Sequence, residues 1–170
     1  MKRAFVLLSA LVLIAGCGSS DTSPAASDDN RAQFTANLTA TNEVPPIPNA
    51  TEAAATGTAH IDFHLTKDAA GTITAATVDF RVDLANFPAG SAITLAHIHT
   101  GAAGVSGGVL VNTTVAAGEV TLTNGTGTFS RINLTTLSAA NAQAIINNPA
   151  GFYFNVHSAL NPAGVIRGQL

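Results

Sequence analysis

A chain of 170 residues is long enough for one domain with its own hydrophobic core and too short for two of ordinary size. Only 10 % of the residues are charged and the formal net charge is −3, which leaves no basic surface to follow a nucleic-acid backbone. Trp is absent and Cys occurs once, so an intramolecular disulfide and a thiolate zinc site are both excluded. The abundance of Thr, Ala, Asn, Val and Gly favours strands and turns over exposed helices.

Lys2 and Arg3 precede the apolar run Ala4 to Ala15, which has the length of a signal-peptide core and falls short of a membrane span. The run ends in Ile14-Ala15-Gly16-Cys17, which resembles the lipobox of bacterial lipoproteins, where small residues admit the peptidase and the cysteine receives a diacylglyceryl group. Residues 1–16 are therefore expected to be a signal peptide and Cys17 the lipidation site. Ser, Asp, Pro, Ala and Asn dominate the stretch after Cys17, with nothing bulky to bury, and residues 17–33 are expected to be the lipidated cysteine and a flexible tether. The expected location is the bacterial cell envelope, exported and anchored to the membrane through the lipid. Gly18 rather than Asp comes next to the cysteine, which in a cell of enteric type implies the outer membrane.

From Phe34 onward apolar and polar residues alternate between Gly-, Asn- and Pro-rich breaks, the period of strands with one buried face. Phe34, Ala36 and Leu38 alternate with Thr35, Asn37 and Thr39. Ile61, Phe63 and Leu65 face one way and His60, Asp62 and His64 the other. Val78, Phe80, Val82 and Leu84 repeat the pattern against Asp79, Arg81 and Asp83. Ala69-Ala70-Gly71 and Asn124-Gly125 carry turn chemistry and predict hairpins, so the sheet is mainly antiparallel. The stretch 138–147 departs from this period. Ala139, Ala142, Ile145 and Ile146 recur at helical spacing, Ser138 is an N-cap and Asn148-Pro149 a stop, which predicts one short helix. Residues 34–170 are expected to form a single all-β domain, an antiparallel β-sandwich or barrel.

Four segments in order carry a family resemblance: Asn42-Glu43-Val44-Pro45-Pro46, Ala96-His97-Ile98-His99-Thr100-Gly101, Phe152-Tyr153-Phe154-Asn155-Val156-His157 and Gly164-Val165-Ile166-Arg167-Gly168-Gln169-Leu170. Together they resemble the CHRD domain, named for the repeats of chordin, over essentially all of 34–170. Val165 stands where that family usually has an acidic residue. The resemblance implies an antiparallel β-sandwich or barrel and, by analogy with chordin, extracellular ligand binding. It supplies a fold more than a function.

Residues i and i+2 of a strand lie on one face, roughly 7 Å apart at Cα. His97 and His99 can therefore converge on one ion, with His157 as a third ligand if its strand lies beside theirs; the alternative is that the histidines hydrogen-bond loop carbonyls and neighbouring polar side chains and so fix the turn that follows. Three neutral imidazoles without thiolates suit zinc or copper better than calcium or magnesium. His60, Asp62 and His64 form a second candidate chelate, for which alternation alone is a sufficient account. Glu43 and Arg167, each in a stretch poor in charge, are expected to pair and staple the beginning of the domain to its end. Ser106 and Ser158 sit in no nucleophile elbow and have no base-orienting acid in the sequence, so no catalytic residue is assigned. The leading expectation is a lipid-anchored, non-enzymatic binding or structural module of the envelope, with an unidentified envelope protein or ligand as its partner. The competing one is a zinc or copper protein with redox or dismutase-like chemistry at the His-X-His strand.

Overall fold

The computed structural model describes residues 29–170. The expected signal peptide, Cys17 and most of the tether lie outside the described residues. The strands are β1 (Arg31–Thr39), β2 (Thr56–Lys67), β3 (Ile73–Ala85), β4 (Ile93–Thr100), β5 (Val109–Asn112), β6 (Gly127–Leu134), β7 (Phe152–Ser158) and β8 (Ile166–Gln169). Among the described residues one α-helix, α1 (Ala139–Asn147), precedes β7. β1 starts three residues before the expected domain, because Arg31 and Gln33 both donate to the Asp62 carboxylate on β2.

All eight strands belong to one antiparallel sheet in the order β5-β4-β7-β8-β1-β2-β3-β6. The sheet curls around its apolar face into a half-barrel. The expected alternation is what makes this possible: Ile61, Phe63, Leu65, Val78, Phe80, Val82 and Leu84 are all buried, as are Ala36 and Leu38. The barrel is open between the edge strands β5 and β6, and side chains cross the gap. Arg131 on β6 pairs with Glu119 and donates to Thr114 Oγ1, and Thr136 Oγ1 donates to the Asn112 carbonyl. Val165, the departure from the family pattern, is fully buried in the core, where a carboxylate would be costly.

The turn at 68–72 joins β2 to β3 as expected, held by Asp68 Oδ1 accepting from the amides of Ala70 and Thr72. Asn124-Gly125 also makes a tight turn, both residues at positive φ, but only a single bridge, Thr123 to Thr126, closes it. The predicted second hairpin is thus a turn leading into β6 and not a pair of full strands. Ser138 caps α1, its Oγ accepting from the Asn141 amide at 3.1 Å. Ala142 and Ile145 of α1 are 0 % exposed.

The strand order matters most for function. β7 and β8 enter the middle of the sheet, β7 against β4 and β8 between β7 and β1. A Cβ on Gly168 would run into the Asn37 carbonyl, so glycine at that position lets the last strand close on the first. The result brings the segments around 42, 97, 155 and 167 side by side, although they are far apart in the chain.

Candidate metal centre and its polar surroundings

Alternation on β4 sends Ala96 and Ile98 into the core, both 0 % exposed, and His97 and His99 to the opposite face. β7 does the same, with Phe154 and Val156 inward and Tyr153, Asn155 and His157 opposite. The antiparallel register sets Leu95 across from His157, His97 across from Asn155 and His99 across from Tyr153. His157 therefore lies diagonally from His97, within reach of an imidazole. The ring centroids are 5.1 Å apart for His97 and His157, 5.5 Å for His97 and His99, and 5.9 Å for His99 and His157.

This second face is not open to water. The loop after β4 covers it through Gly107, Ala102 and Val105, and the loop after β7 through Pro162. His97, His99 and His157 are each 6–7 % exposed. One ring nitrogen from each lies within 4.8 Å of the other two. A metal–nitrogen bond of about 2.0–2.1 Å in a tetrahedral site places ligand nitrogens about 3.3–3.4 Å apart, so small ring rotations bring the set to bonding geometry.

The outer nitrogens determine which inner ones are free. His99 Nδ1–H donates to the Gly107 carbonyl at 3.1 Å and His157 Nδ1–H to the Pro162 carbonyl at 3.0 Å. Each bond leaves Nε2 as the unprotonated, inward nitrogen. His99 Nε2 is buried without a partner, and His157 Nε2 faces His97 Nδ1 at 3.3 Å. Burial is the first cause that lowers the proton affinity of all three rings. His97, also opposed by charge on His157 and His99, falls to about 4. The set is neutral at physiological pH, and His99 Nε2 and His157 Nε2 carry lone pairs.

The expected pair of Glu43 and Arg167 is not formed directly. Ion pairs among the described residues join Arg31 to Asp62, Arg81 to Asp83 and Arg131 to Glu119, and His64 Nε2 contacts Asp79; none of these includes Glu43 or Arg167. Arg167 instead donates from Nη2 to the carbonyls of Ala102 and Val105 and to Gln169 Oε1, and its Cζ lies 3.4 Å from the centroid of the Tyr153 ring. Glu43 Oε2 accepts from Asn155 Nδ2 at 3.3 Å. The reason is competition: loop carbonyls fold over the guanidinium and Asn155 reaches the carboxylate first. The two charges still sense each other. Burial pushes the Glu43 carboxyl up to about 7, and Arg167 followed by Asn155 offsets part of that rise.

His60, Asp62 and His64 do not converge. His60 Nδ1 contacts Thr35 Oγ1, Asp62 takes Arg31 and Gln33, and His64 Nε2 lies 3.0 Å from Asp79 Oδ2. Cross-strand pairing satisfies each one separately, as a polar face does.

Sequence reasoning passed over Tyr153 and Asn155, although both lie on the His157 face at even spacing. Tyr153 stacks on His99 with centroids 5.0 Å apart and planes 10° apart. It also passed over Glu52, which is 0 % exposed and accepts from Ser91 Oγ, Ser158 Oγ and Asn161 Nδ2. No local pattern marks such a residue, because its donors come from remote parts of the chain. Glu52→Gln turns an amide donor toward those donors and is expected to destabilise by about 1–3 kcal/mol in a denaturant melt. A variant as stable as the parent would show that the network contributes nothing.

The family model described as the CHRD domain matches residues 34–170. No curated protein and no solved structure matches the chain.

Proposed function

The chain belongs to the CHRD domain family, and we propose that it is a non-enzymatic binding module of the bacterial cell envelope, anchored by a lipid on Cys17 and holding one zinc or copper ion on His97, His99 and His157. The observation that carries the metal is the arrangement of the three rings. Two have their outer nitrogens committed to backbone carbonyls, which leaves each an unprotonated Nε2, that of His157 3.3 Å from His97 Nδ1, and one nitrogen of each ring lies within 4.8 Å of the other two. Without a metal, His97 Nδ1–H donates to His157 Nε2, and His99 Nε2 keeps no partner. With one bound, His97 would carry its proton on its own Nε2, and His97 Nδ1, His99 Nε2 and His157 Nε2 would be the nitrogens that hold it.

The reading stops at binding. Ser158 points to the opposite side of β7 from His157 and donates to Glu52, so this hydroxyl nucleophile does not share the histidine site. Metal content of the full chain, purified without an affinity tag, tests the proposal: about one equivalent of zinc or copper per chain is expected. Metal-free protein that also takes up neither ion on titration would end it.

The anchor rests on the order of charge, apolar run and Ile14-Ala15-Gly16-Cys17. A diacylated and N-acylated cysteine binds a bilayer firmly, whereas one chain alone is marginal. Cys17→Ser is expected to abolish lipid labelling and move the protein out of the membrane fraction. Equal partitioning of the parent and the variant would refute the anchor.

A further inference from the structure

Arg167 is 1 % exposed, the largest side chain buried to that degree among the described residues, and none of the ion pairs among those residues includes it. Its Nη2 meets three neutral oxygens, of Ala102, Val105 and Gln169, and its Nη1 is buried with no partner. A guanidinium cannot shed its proton to escape this. Glu43 senses it without touching it, and burial holds that carboxyl up to about 7, so below pH 7 the buried cation has no bound counter-charge, which is costly. Beside Arg167 lies a cavity of about 260 Å³, lined also by Thr41, Asn42, Val44, Ala103, Gly104 and Gln169. No acidic side chain lines it, and Arg167 is its one charged wall.

We propose that this cavity is a second ligand site, separate from the histidines, that takes a small carboxylate on the guanidinium of Arg167. The class is set by charge and shape. One buried cation balances one negative charge, whereas a doubly charged phosphate or sulfate would leave an excess with no second cation to meet it. A planar carboxylate also matches the planar donors of a guanidinium. The volume admits a short acid.

The chain carries one Tyr and no Trp, so its intrinsic emission reports on Tyr153, whose ring lies against Arg167. Sodium acetate titrated into the full chain, with sodium chloride holding ionic strength constant, is expected to change that emission saturably. Amide shifts of Ala103 and Gly104 should move along the same curve, with half-saturation at about 1–10 mM, the weak range fit for so few contacts. Ala103→Leu fills the cavity from an exposed position and leaves Arg167 in place. It should weaken acetate at least ten-fold without changing the melting temperature. Arg167→Lys keeps the charge, loses the planar donors and should weaken it similarly. A linear response up to about 100 mM acetate, equal binding by a folded Ala103→Leu variant, or tighter binding of sulfate on the same amides would each overturn the proposal. Metal content is read separately, so its failure or success leaves this test intact.

Discussion

Zinc or copper(II) titrated into the metal-free chain is expected to bind at one equivalent and more tightly than about 10 μM, and His97→Ala, His99→Ala or His157→Ala should each weaken it at least 100-fold. A double variant, His60→Ala with His64→Ala, should bind as the parent does, because those rings pair with Thr35 and Asp79 on another part of the sheet. The contrast separates a built centre from histidines that bind metal anywhere. If the control loses as much affinity as the site variants, or if no variant matters, the centre is wrong. Folding of each variant is checked by thermal melting.

The pH dependence adds a sign. Only a neutral ring nitrogen ligates a metal, and a free imidazole loses that capacity near pH 6.5. In the folded chain all three rings have their proton affinity lowered, chiefly by burial, His97 to about 4. Protons then compete only below the ordinary histidine range. Affinity is expected to stay nearly flat from pH 8 to about 6 and to fall as pH approaches 4. The same shift acts on the metal-free fold. Between the unfolded and folded values the unfolded chain binds more protons, so stability contributed by His97 is present above about 6.5 and is lost as pH falls toward 4, by up to about 3 kcal/mol. An affinity that collapses between pH 7 and 6 would show that the rings are solvated.

The second large effect is an asymmetry. Arg167→Met is expected to destabilise by about 3–5 kcal/mol, since it strips the Ala102 and Val105 carbonyls of their donor and removes the stack on Tyr153. Glu43→Gln is expected to cost little at pH 5 and to stabilise above pH 7. The folded carboxyl titrates near 7 against an ordinary 4.5, so its contribution is complete below about 4.5 and disappears as pH rises through 7. The charged form carries a burial cost of up to about 3 kcal/mol that glutamine does not. A double-mutant cycle should give a coupling below about 1 kcal/mol, the range for charges that do not touch. Equal losses in both single variants with a coupling above about 2 kcal/mol would restore a direct pair between them.

Much of this protein was decided by its local sequence. Alternation in 34–39, 60–65 and 78–84 determined which side chains enter the core, and the buried positions agree except at Phe34, which is half-buried against the edge of the core. It also put His97 and His99 on one face and left His60, Asp62 and His64 as a polar face. Ser138 and Pro149 bounded the helix. These are properties of a residue and its near neighbours, governed by backbone period and cap chemistry, so they can be read without a fold.

Partners across the sheet were decided by the tertiary structure alone. His97 meets His157 from 60 residues away, and Asn42 donates to the Arg167 carbonyl from 125 away. Both contacts depend on β7 and β8 entering the centre of the sheet in one register, and a one-residue slip would turn His157 into the core. The fate of Arg167 shows the difference most clearly. Its charge and its isolation are visible in the sequence and suggest a carboxylate partner. Loop carbonyls of Ala102 and Val105 took that place because the chain after β4 folds over the guanidinium, and backbone acceptors, which every residue carries, leave no mark in a sequence.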